Sequence, residues 1–151
     1  MSQVKPSRTA QNQTSDQPPL LEVKNLHTHF FTSDGVVQAV DGSSFEVHAG
    51  KTLGVVGESG CGKSVAAKSI LQIVDKPGRV VDGEILYTSR TASGQEIRRD
   101  LLRMDAGSAE MRAIRGGEIS MIFQEPMSSF SPVHTVGNQL IEAIQLHTEM
   151  S

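Results

Sequence analysis

The sequence predicts an α/β protein in which antiparallel strands lead into a phosphate-binding loop. Two observations support this fold class. Apolar and polar residues alternate with period two between residues 36 and 47, as in strands that bury one face. Residues 57–64 then read GESGCGKS, a complete G-x-x-x-x-G-K-[ST] motif that lies between an apolar run and a segment of helical composition.

The N-terminal part is expected to contain a disordered leader followed by strands. Residues 1–19 are rich in Gln, Ser, Thr and Pro, and they lack the apolar segment of a secretory signal. The folded domain is therefore predicted to span residues 20–151. Its first elements are a strand at residues 21–26 that continues toward residue 30, a turn at 33–35, strands at 36–40 and 44–47, and a turn at 49–50.

The rest of the chain is predicted to alternate between strands and helices. Apolar runs and Gly or Pro breaks define these elements. They are a buried strand at residues 52–56, a helix at 64–71, a break at 77–78, a strand at 83–87, short helices at 96–104 and 109–115, a buried strand at 118–124, a loop at 126–132 and an amphipathic helix at 136–147. The motif thus lies where a buried strand meets a helix.

The motif at residues 57–64, called the phosphate loop below, indicates that the chain binds a nucleoside triphosphate. Backbone N–H groups and the positive end of the following helix converge on a phosphate group, and the glycines allow its close approach. Lys63 is expected to reach the β- and γ-phosphates, and the Ser64 hydroxyl is expected to coordinate Mg²⁺.

Composition and charge argue against several other classes of function. The net charge is −3 and no basic run occurs, so nucleic acid is not an expected partner. A single Cys excludes an internal disulfide and is typical of a reducing compartment. No stretch approaches the roughly 20 apolar residues that span a bilayer, so direct membrane insertion is not expected.

Three segments together resemble the ATP-binding subunits of ABC transporters. They are the phosphate loop, residues 119–127 (ISMIFQEPM) and residues 132–137 (PVHTVG). The likeness points to the bacterial dipeptide and oligopeptide importers, with nickel importers similar to them, and it runs from about residue 20 to the end. It implies a P-loop NTPase core of the ABC ATPase type with an N-terminal antiparallel β subdomain.

The resemblance also implies roles for particular residues. Gln124 matches the Q-loop glutamine, whose amide oxygen approaches Mg²⁺ and the attacking water. An aromatic residue near the end of the first strand stacks on adenine. Phe30 matches that place best, and Phe31 is the alternative because the turn length leaves the register open. The implied ATP-binding residues are Phe30, Gly57, Glu58, Ser59, Gly60, Cys61, Gly62, Lys63, Ser64, Val65 and Gln124, with Lys63 and Gln124 catalytic and Ser64 and Gln124 at the metal.

The resemblance implies partners and a cellular place as well. Such subunits work with membrane-spanning permease subunits and a second ATP-binding subunit, in the cytoplasm on the inner face of the membrane. The family further has a signature Leu-Ser-Gly-Gly-Gln segment, a strand that ends in Asp-Glu and a switch His, and these 151 residues contain none of them. We therefore interpret the chain as an N-terminal part, truncated before the helical subdomain is complete, and expect negligible ATP hydrolysis by it alone.

Two alternative functions are weighed against this interpretation. The chain could bind nucleotide without turnover and act as a regulator or decoy partner of the intact subunit. It could also be an unrelated phosphate-loop kinase or GTPase. The kinase or GTPase alternative is disfavoured. Residues 124–127 (QEPM) have no reason to occur in a kinase, and the Asn-Lys-x-Asp motif with which a GTPase recognises its base is absent from the sequence.

Four further features have an ordinary explanation beside a functional one. Cys61 fits a variable loop position better than a redox role, although a nearby helix N-terminus can activate a thiol. His27 and His29 fit a solvated strand face better than a metal site. The arginines of residues 98–103 fit a charged helix face. The apolar face of residues 136–146 could equally dock on a transporter subunit or pack inside the domain.

Overall fold

Four antiparallel strands form one sheet in the computed structural model, which describes residues 18–91, 93–124 and 131–147. The strands are β1 (Leu21–Thr32), β2 (Gly35–Val47), β3 (Gly78–Arg90) and β4 (Glu96–Asp100), in the spatial order β2-β1-β3-β4. A turn at Ser33 and Asp34 joins β1 to β2, and β3 pairs with the other edge of β1. The predicted antiparallel β subdomain is confirmed.

Within the described residues three α-helices accompany the sheet: α1 (Lys63–Ile70), α2 (Ala109–Gly117) and α3 (Val136–His147). The helices predicted at residues 64–71, 109–115 and 136–147 are thus confirmed. The Ser108 hydroxyl accepts the Met111 N–H and begins α2, as an N-cap residue does. The same helix is interrupted at Arg115, and Gly116 there has a φ of +81°. The predicted leader at residues 1–19 and the predicted loop at 126–132 lie largely outside the described residues.

The prediction of a helix at residues 96–104 is wrong for its first half. That segment is the edge strand β4, in which Asp100 lies opposite Leu86 and Glu96 lies opposite Arg90. The Glu96 carboxylate accepts a 2.8 Å hydrogen bond from the Arg90 guanidinium and closes this hairpin. A short 3₁₀ turn (Leu101–Arg103) follows. The charged composition that suggested an exposed helix face suits an exposed edge strand equally well.

The two predicted buried strands at residues 52–56 and 118–124 are not present as strands. Val56 is 96% exposed and Ile122 is 92% exposed. A parallel strand is stabilised only by neighbours that take its hydrogen bonds and cover both faces. Among the described residues neither segment has a neighbouring strand, apart from one isolated bridge between Arg115 and Ile119. The α/β core expected around the phosphate loop is therefore not formed by these residues.

The core lies on one face of the sheet, beneath α1, α2 and the 3₁₀ turn. Six apolar side chains there are no more than 1% exposed, and each contributes about 1.5–3 kcal/mol by its burial. They are Val23, Leu26, Ile85, Leu101, Met111 and Ile114. Gly83 lets β1 and β3 approach closely, because a Cβ at this position would lie 2.8 Å from the Asn25 carbonyl oxygen, and its φ is +118°.

The only Tyr of the chain provides a pH-dependent test of this core. Burial, together with a hydrogen bond to the Glu118 carboxylate, raises the pKa of Tyr87 to about 12. The unfolded chain releases this proton near pH 10. Between pH 10 and 12 the native state therefore holds more protons, and the free energy of unfolding falls as the pH rises.

We expect the ultraviolet absorbance of tyrosinate to titrate with a midpoint near 12 in the native chain. Glu118→Gln should move the midpoint of the Tyr87 titration downward, because it removes the negative charge that opposes ionisation. A midpoint near 10 in folded protein would show that Tyr87 is not buried as described.

Candidate functional site

The phosphate loop crosses the surface and ends directly at α1. All residues from 51 to 61 are exposed. No helix or strand occurs between the end of β2 at Val47 and the start of α1 at Lys63. Gly60 and Gly62 have φ values of +82° and +92°, in the left-handed region that glycine adopts without a Cβ penalty. The backbone therefore bends at Gly60 and Gly62, and Gly62 is the residue directly before α1.

The end of the loop is held tightly against β2. A Cβ at Gly62 would lie 2.1 Å from the Ala39 carbonyl oxygen, a separation that no real contact reaches. The glycine therefore permits a close backbone approach that any other residue would prevent. Neither Ala39 nor its strand carries a recognisable motif for this contact. The sequence could not have identified this support for the site.

Lys63 closes the loop upon itself. Its ammonium donates hydrogen bonds to the Gly57 carbonyl oxygen at 2.7 Å and to the Glu58 carbonyl oxygen at 2.6 Å, and it lies 3.4 Å from Cys61 Sγ. A phosphate oxygen carries a full charge and is a stronger acceptor than a carbonyl. The ammonium is thus at the loop, at the positive end of α1, where an incoming phosphate would compete for it.

Ser64 and Val65 form the first turn of α1. The Ser64 side chain is exposed, and its hydroxyl makes no hydrogen bond with any residue that the structure describes. It is therefore available to a metal ion. The Val65 carbonyl oxygen accepts a 2.7 Å bond from the Ser69 hydroxyl, one turn later. Glu58 and Ser59 both lie on the exposed part of the loop.

Gln124 is an exposed residue that follows the segment at residues 118–123, which forms no strand here. Its side chain makes no hydrogen bond within the described part of the chain. The role of Gln124 at Mg²⁺ remains a prediction.

The two candidate aromatic residues lie together at the end of β1. Phe30 is half-buried, and its ring lies where a Cβ of Gly78 would be only 2.7 Å away. Phe31 is 38% exposed, and the Arg79 guanidinium stacks over its ring at 4.3 Å from the centroid. Phe30 is thus packed against β3 and Phe31 is already covered by a cation. The structure leaves the choice between them open.

The remaining candidates have neighbours of an ordinary kind. His27 Nδ1 lies 3.0 Å from the Asp41 carboxylate, and its ring centroid lies 6.3 Å from that of His29. Among the described residues no three potential ligands are grouped around a metal position. The three arginines of residues 98–103 each pair with a carboxylate: Arg98 with Glu22, Arg99 with Glu110, and Arg103 with Asp100. Arg98 and Arg99 belong to the edge strand β4, and Arg103 belongs to the 3₁₀ turn that follows it.

The apolar face of α3 is exposed in the structure. Its exposed side chains are Val136, Leu140, Ile141, Ile144 and Leu146. The two explanations for this face, docking on another subunit and packing inside a larger domain, both require a cover. The described residues supply no such cover, so both explanations remain open.

The position of Cys61 predicts that a thiol reagent blocks the loop. Cys61 Sγ is exposed, and it lies 2.6 Å from the position of a Cβ on Gly57, so an alkyl group there would occupy the space that the loop encloses. We expect alkylation to abolish binding of a fluorescent ATP analogue, and prior saturation with MgATP to protect the thiol. Cys61→Ser should remove this sensitivity. An alkylated parent chain that still binds would contradict the geometry.

Comparison with known proteins shows the family to which this chain belongs. The family model described as ABC transporter matches residues 40–150. Similar curated proteins include a probable peptide ABC transporter ATP-binding protein of Sinorhizobium fredii (44% identical over 133 residues; 87% of this chain, 36% of the relative) and the dipeptide transport ATP-binding protein DppD of Bacillus subtilis (47% identical; 87% and 36%). The chain spans about a third of the length of these relatives.

The name of a third relative indicates a different substrate. It is the glutathione import ATP-binding protein GsiA of Escherichia coli O157:H7, 38% identical over 137 residues that cover 90% of this chain and 21% of the relative. Within the described residues, no helix has the length and apolar character needed to cross a bilayer.

Proposed function

Because this chain belongs to the ABC transporter family, we propose that it binds MgATP through the phosphate loop, as part of the ATP-binding subunit of an importer for peptides or similar small solutes. The observation that carries the proposal is the closed loop. Lys63 is held at two carbonyl oxygens of a glycine-rich turn that leads directly into a helix N-terminus. An ammonium in that position is suited to a triphosphate.

The residues of the loop fit MgATP. Gly62 allows the end of the loop to lie against β2 at the start of α1, and the exposed Ser64 hydroxyl is free to ligate a hard cation such as Mg²⁺. When bound, Mg²⁺ neutralises charge on the phosphates. Lys63 would exchange its carbonyl partners for phosphate oxygens, and Gln124 would complete the metal site once the segment before it is held in place. Phe30, or alternatively Phe31, would stack on the base.

ATP hydrolysis requires more than these residues supply. An attacking water must be oriented and activated while Mg²⁺ is held on two sides. The sequence provides Lys63, Ser64 and Gln124 for this task but no Asp-Glu pair at the end of a strand. We infer that the 151-residue chain binds ATP and does not turn it over at a measurable rate by itself.

The proposed context is a transporter assembly. The relatives are named as transport or import ATP-binding proteins. By this likeness the subunit would lie in the cytoplasm on the inner face of the membrane, against membrane-spanning subunits, with a second ATP-binding subunit completing each site. The choice of solute belongs to those partners, and peptides are favoured because two of the relatives named above are peptide or dipeptide transport proteins.

A second function is favoured by one observation, the absence from these 151 residues of the catalytic carboxylate and the signature segment. On that basis the chain would be a non-hydrolysing nucleotide-binding fragment that regulates the intact subunit or acts as its decoy partner. Both functions require the same ATP site. They differ in whether the chain adds to transport or inhibits it when it is co-expressed with the intact subunits.

Binding and turnover can be separated in one preparation. We expect the purified chain to bind a fluorescent ATP analogue in the presence of Mg²⁺, and its phosphate release to equal that of the Lys63→Ala chain. The physical reason is that the loop holds the phosphates but no carboxylate activates water. Phosphate release that depends on Lys63 would show that the chain contains a complete catalytic site.

A further inference from the structure

A buried pair of hydroxyl groups joins the first strand to the helix that follows the phosphate loop. The Thr28 Oγ1 and Ser69 Oγ atoms lie 2.8 Å apart, and both residues are 0% exposed. Thr28 is in β1, and Ser69 is in the last turn of α1, 41 residues along the chain. Apolar residues of the core surround the sheet face to which Thr28 belongs.

The direction of the hydrogen bonds can be assigned from the proton count. Ser69 Oγ donates to the Val65 carbonyl oxygen at 2.7 Å. A serine hydroxyl has one proton, so Ser69 can only accept from Thr28, and Thr28 must donate. A directed relay therefore runs from Thr28 through Ser69 to the backbone of Val65. That carbonyl belongs to the same helical turn as Lys63 and Ser64.

The two ends of this relay lie near the two halves of the proposed ligand site. Thr28 precedes Phe30 by two residues and Phe31 by three on β1, and Val65 follows Lys63 by two residues on α1. The close approach of Gly62 to Ala39 also joins α1 to the β1–β2 hairpin, but it is a steric contact at the start of the helix. A hydrogen bond is directional and fixes how far α1 is shifted along β1, whereas apolar packing permits sliding.

From this geometry we infer that Thr28 and Ser69 are positioning residues, which set the register between the phosphate-binding turn of α1 and the aromatic end of β1. The inference rests on the proposed function. A nucleotide must reach both places at once, so its base and its triphosphate bind together only when the register is correct. A buried polar pair is not needed for stability alone, because apolar groups of the same shape in place of both partners can be nearly neutral.

The test compares two ligands that share a triphosphate and differ in the adenosine, which carries the base. MgATP and magnesium tripolyphosphate each displace a fluorescent ATP analogue from the chain, and the ratio of their dissociation constants measures the contribution of the adenosine. Stacking of a base on an aromatic side chain strengthens binding about tenfold or more, which sets the ratio expected for the parent chain.

Four variants separate positioning from folding. Thr28→Val removes the donor at nearly constant volume, Ser69→Ala leaves the Thr28 hydroxyl without its acceptor, and Thr28→Ser restores a donor. The double variant Thr28→Val/Ser69→Ala replaces both polar groups and leaves no buried hydroxyl unpaired. Ser69→Ala alone should lower the thermal midpoint most, by roughly 5 °C or more, and the double variant should recover most of that loss.

We expect Thr28→Val and the double variant to bind tripolyphosphate like the parent while the ratio falls from about tenfold toward one. Thr28→Ser should retain the parent ratio. A double variant that is folded and keeps the parent ratio would overturn the inference, as would a parent chain whose ratio is already one. Failure of the proposed function has a different signature, since the analogue would then bind the parent and Lys63→Ala equally.

Discussion

Replacing Lys63 with Ala is expected to weaken MgATP binding about a hundredfold, from the loss of about 3 kcal/mol in charge-assisted hydrogen bonds. In the structure the Lys63 ammonium already lies at the loop, bonded to the Gly57 and Glu58 carbonyl oxygens at 2.7 and 2.6 Å. The variant loses the cation that phosphate oxygens would bind. It also loses the two bonds that close the empty loop. Equilibrium titration with a fluorescent ATP analogue measures the change.

Lys68→Ala is the matched control for this variant. Lys68 lies in the last turn of the same helix and forms an ion pair with Asp75. The control removes an equal charge from the same helix without touching the loop, so long-range electrostatics contribute similarly to both variants. Equal losses of affinity for Lys63→Ala and Lys68→Ala would mean that Lys63 acts only through net charge.

Replacing Gly62 with Ala is expected to have the largest effect on stability of any single change in the loop. The φ of +92° is unfavourable for Ala by about 1–2 kcal/mol. The new Cβ would also lie 2.1 Å from the Ala39 carbonyl oxygen, so the backbone of the loop or of β2 must move. Together we expect a loss of about 3 kcal/mol or more in the free energy of unfolding, with loss of ATP binding.

Gly60→Ala provides the comparison that isolates the contact. Gly60 has nearly the same φ, +82°, but a Cβ there would meet nothing within 4 Å. The control therefore includes the backbone strain and excludes the clash, and its expected cost is about 1 kcal/mol. Urea unfolding of both variants measures the difference. If the two costs are equal, the loop does not lie against β2 as the structure has it.

Local chemistry explains which parts of this protein the sequence could predict. The phosphate loop is recognisable because its function depends on residues within eight positions of one another. The hairpin of β1 and β2 is recognisable because alternation and a turn are also local. The pairing partners of a strand are not local. The apolar runs at residues 52–56 and 118–124 look like buried strands, yet neither forms a strand, and Val56 and Ile122 are almost fully exposed.

The contacts that hold the phosphate loop and α1 in place are also non-local, so the sequence does not predict them. The Ala39 carbonyl oxygen and the Thr28 hydroxyl carry no motif, and they act on Gly62 and Ser69, which lie 23 and 41 residues further along the chain. Their importance appears only when β1 and β2 pack against α1. The helix predicted at residues 96–104 failed for a related reason. A charged segment suits an exposed helix or an exposed edge strand, and only pairing with β3 decides between them.

The most direct test of the central claim is to locate ATP on the chain by nitrogen-15 NMR during titration with MgATP. If ATP binds at the phosphate loop, the largest amide shifts fall at Gly60, Gly62, Lys63 and Ser64, the backbone donors of the loop and of the first turn of α1. Those shifts should be absent in Lys63→Ala. Saturable shifts confined to another surface, such as the groove along residues 78–84 of β3, would contradict it, and so would the absence of any shift in the parent chain.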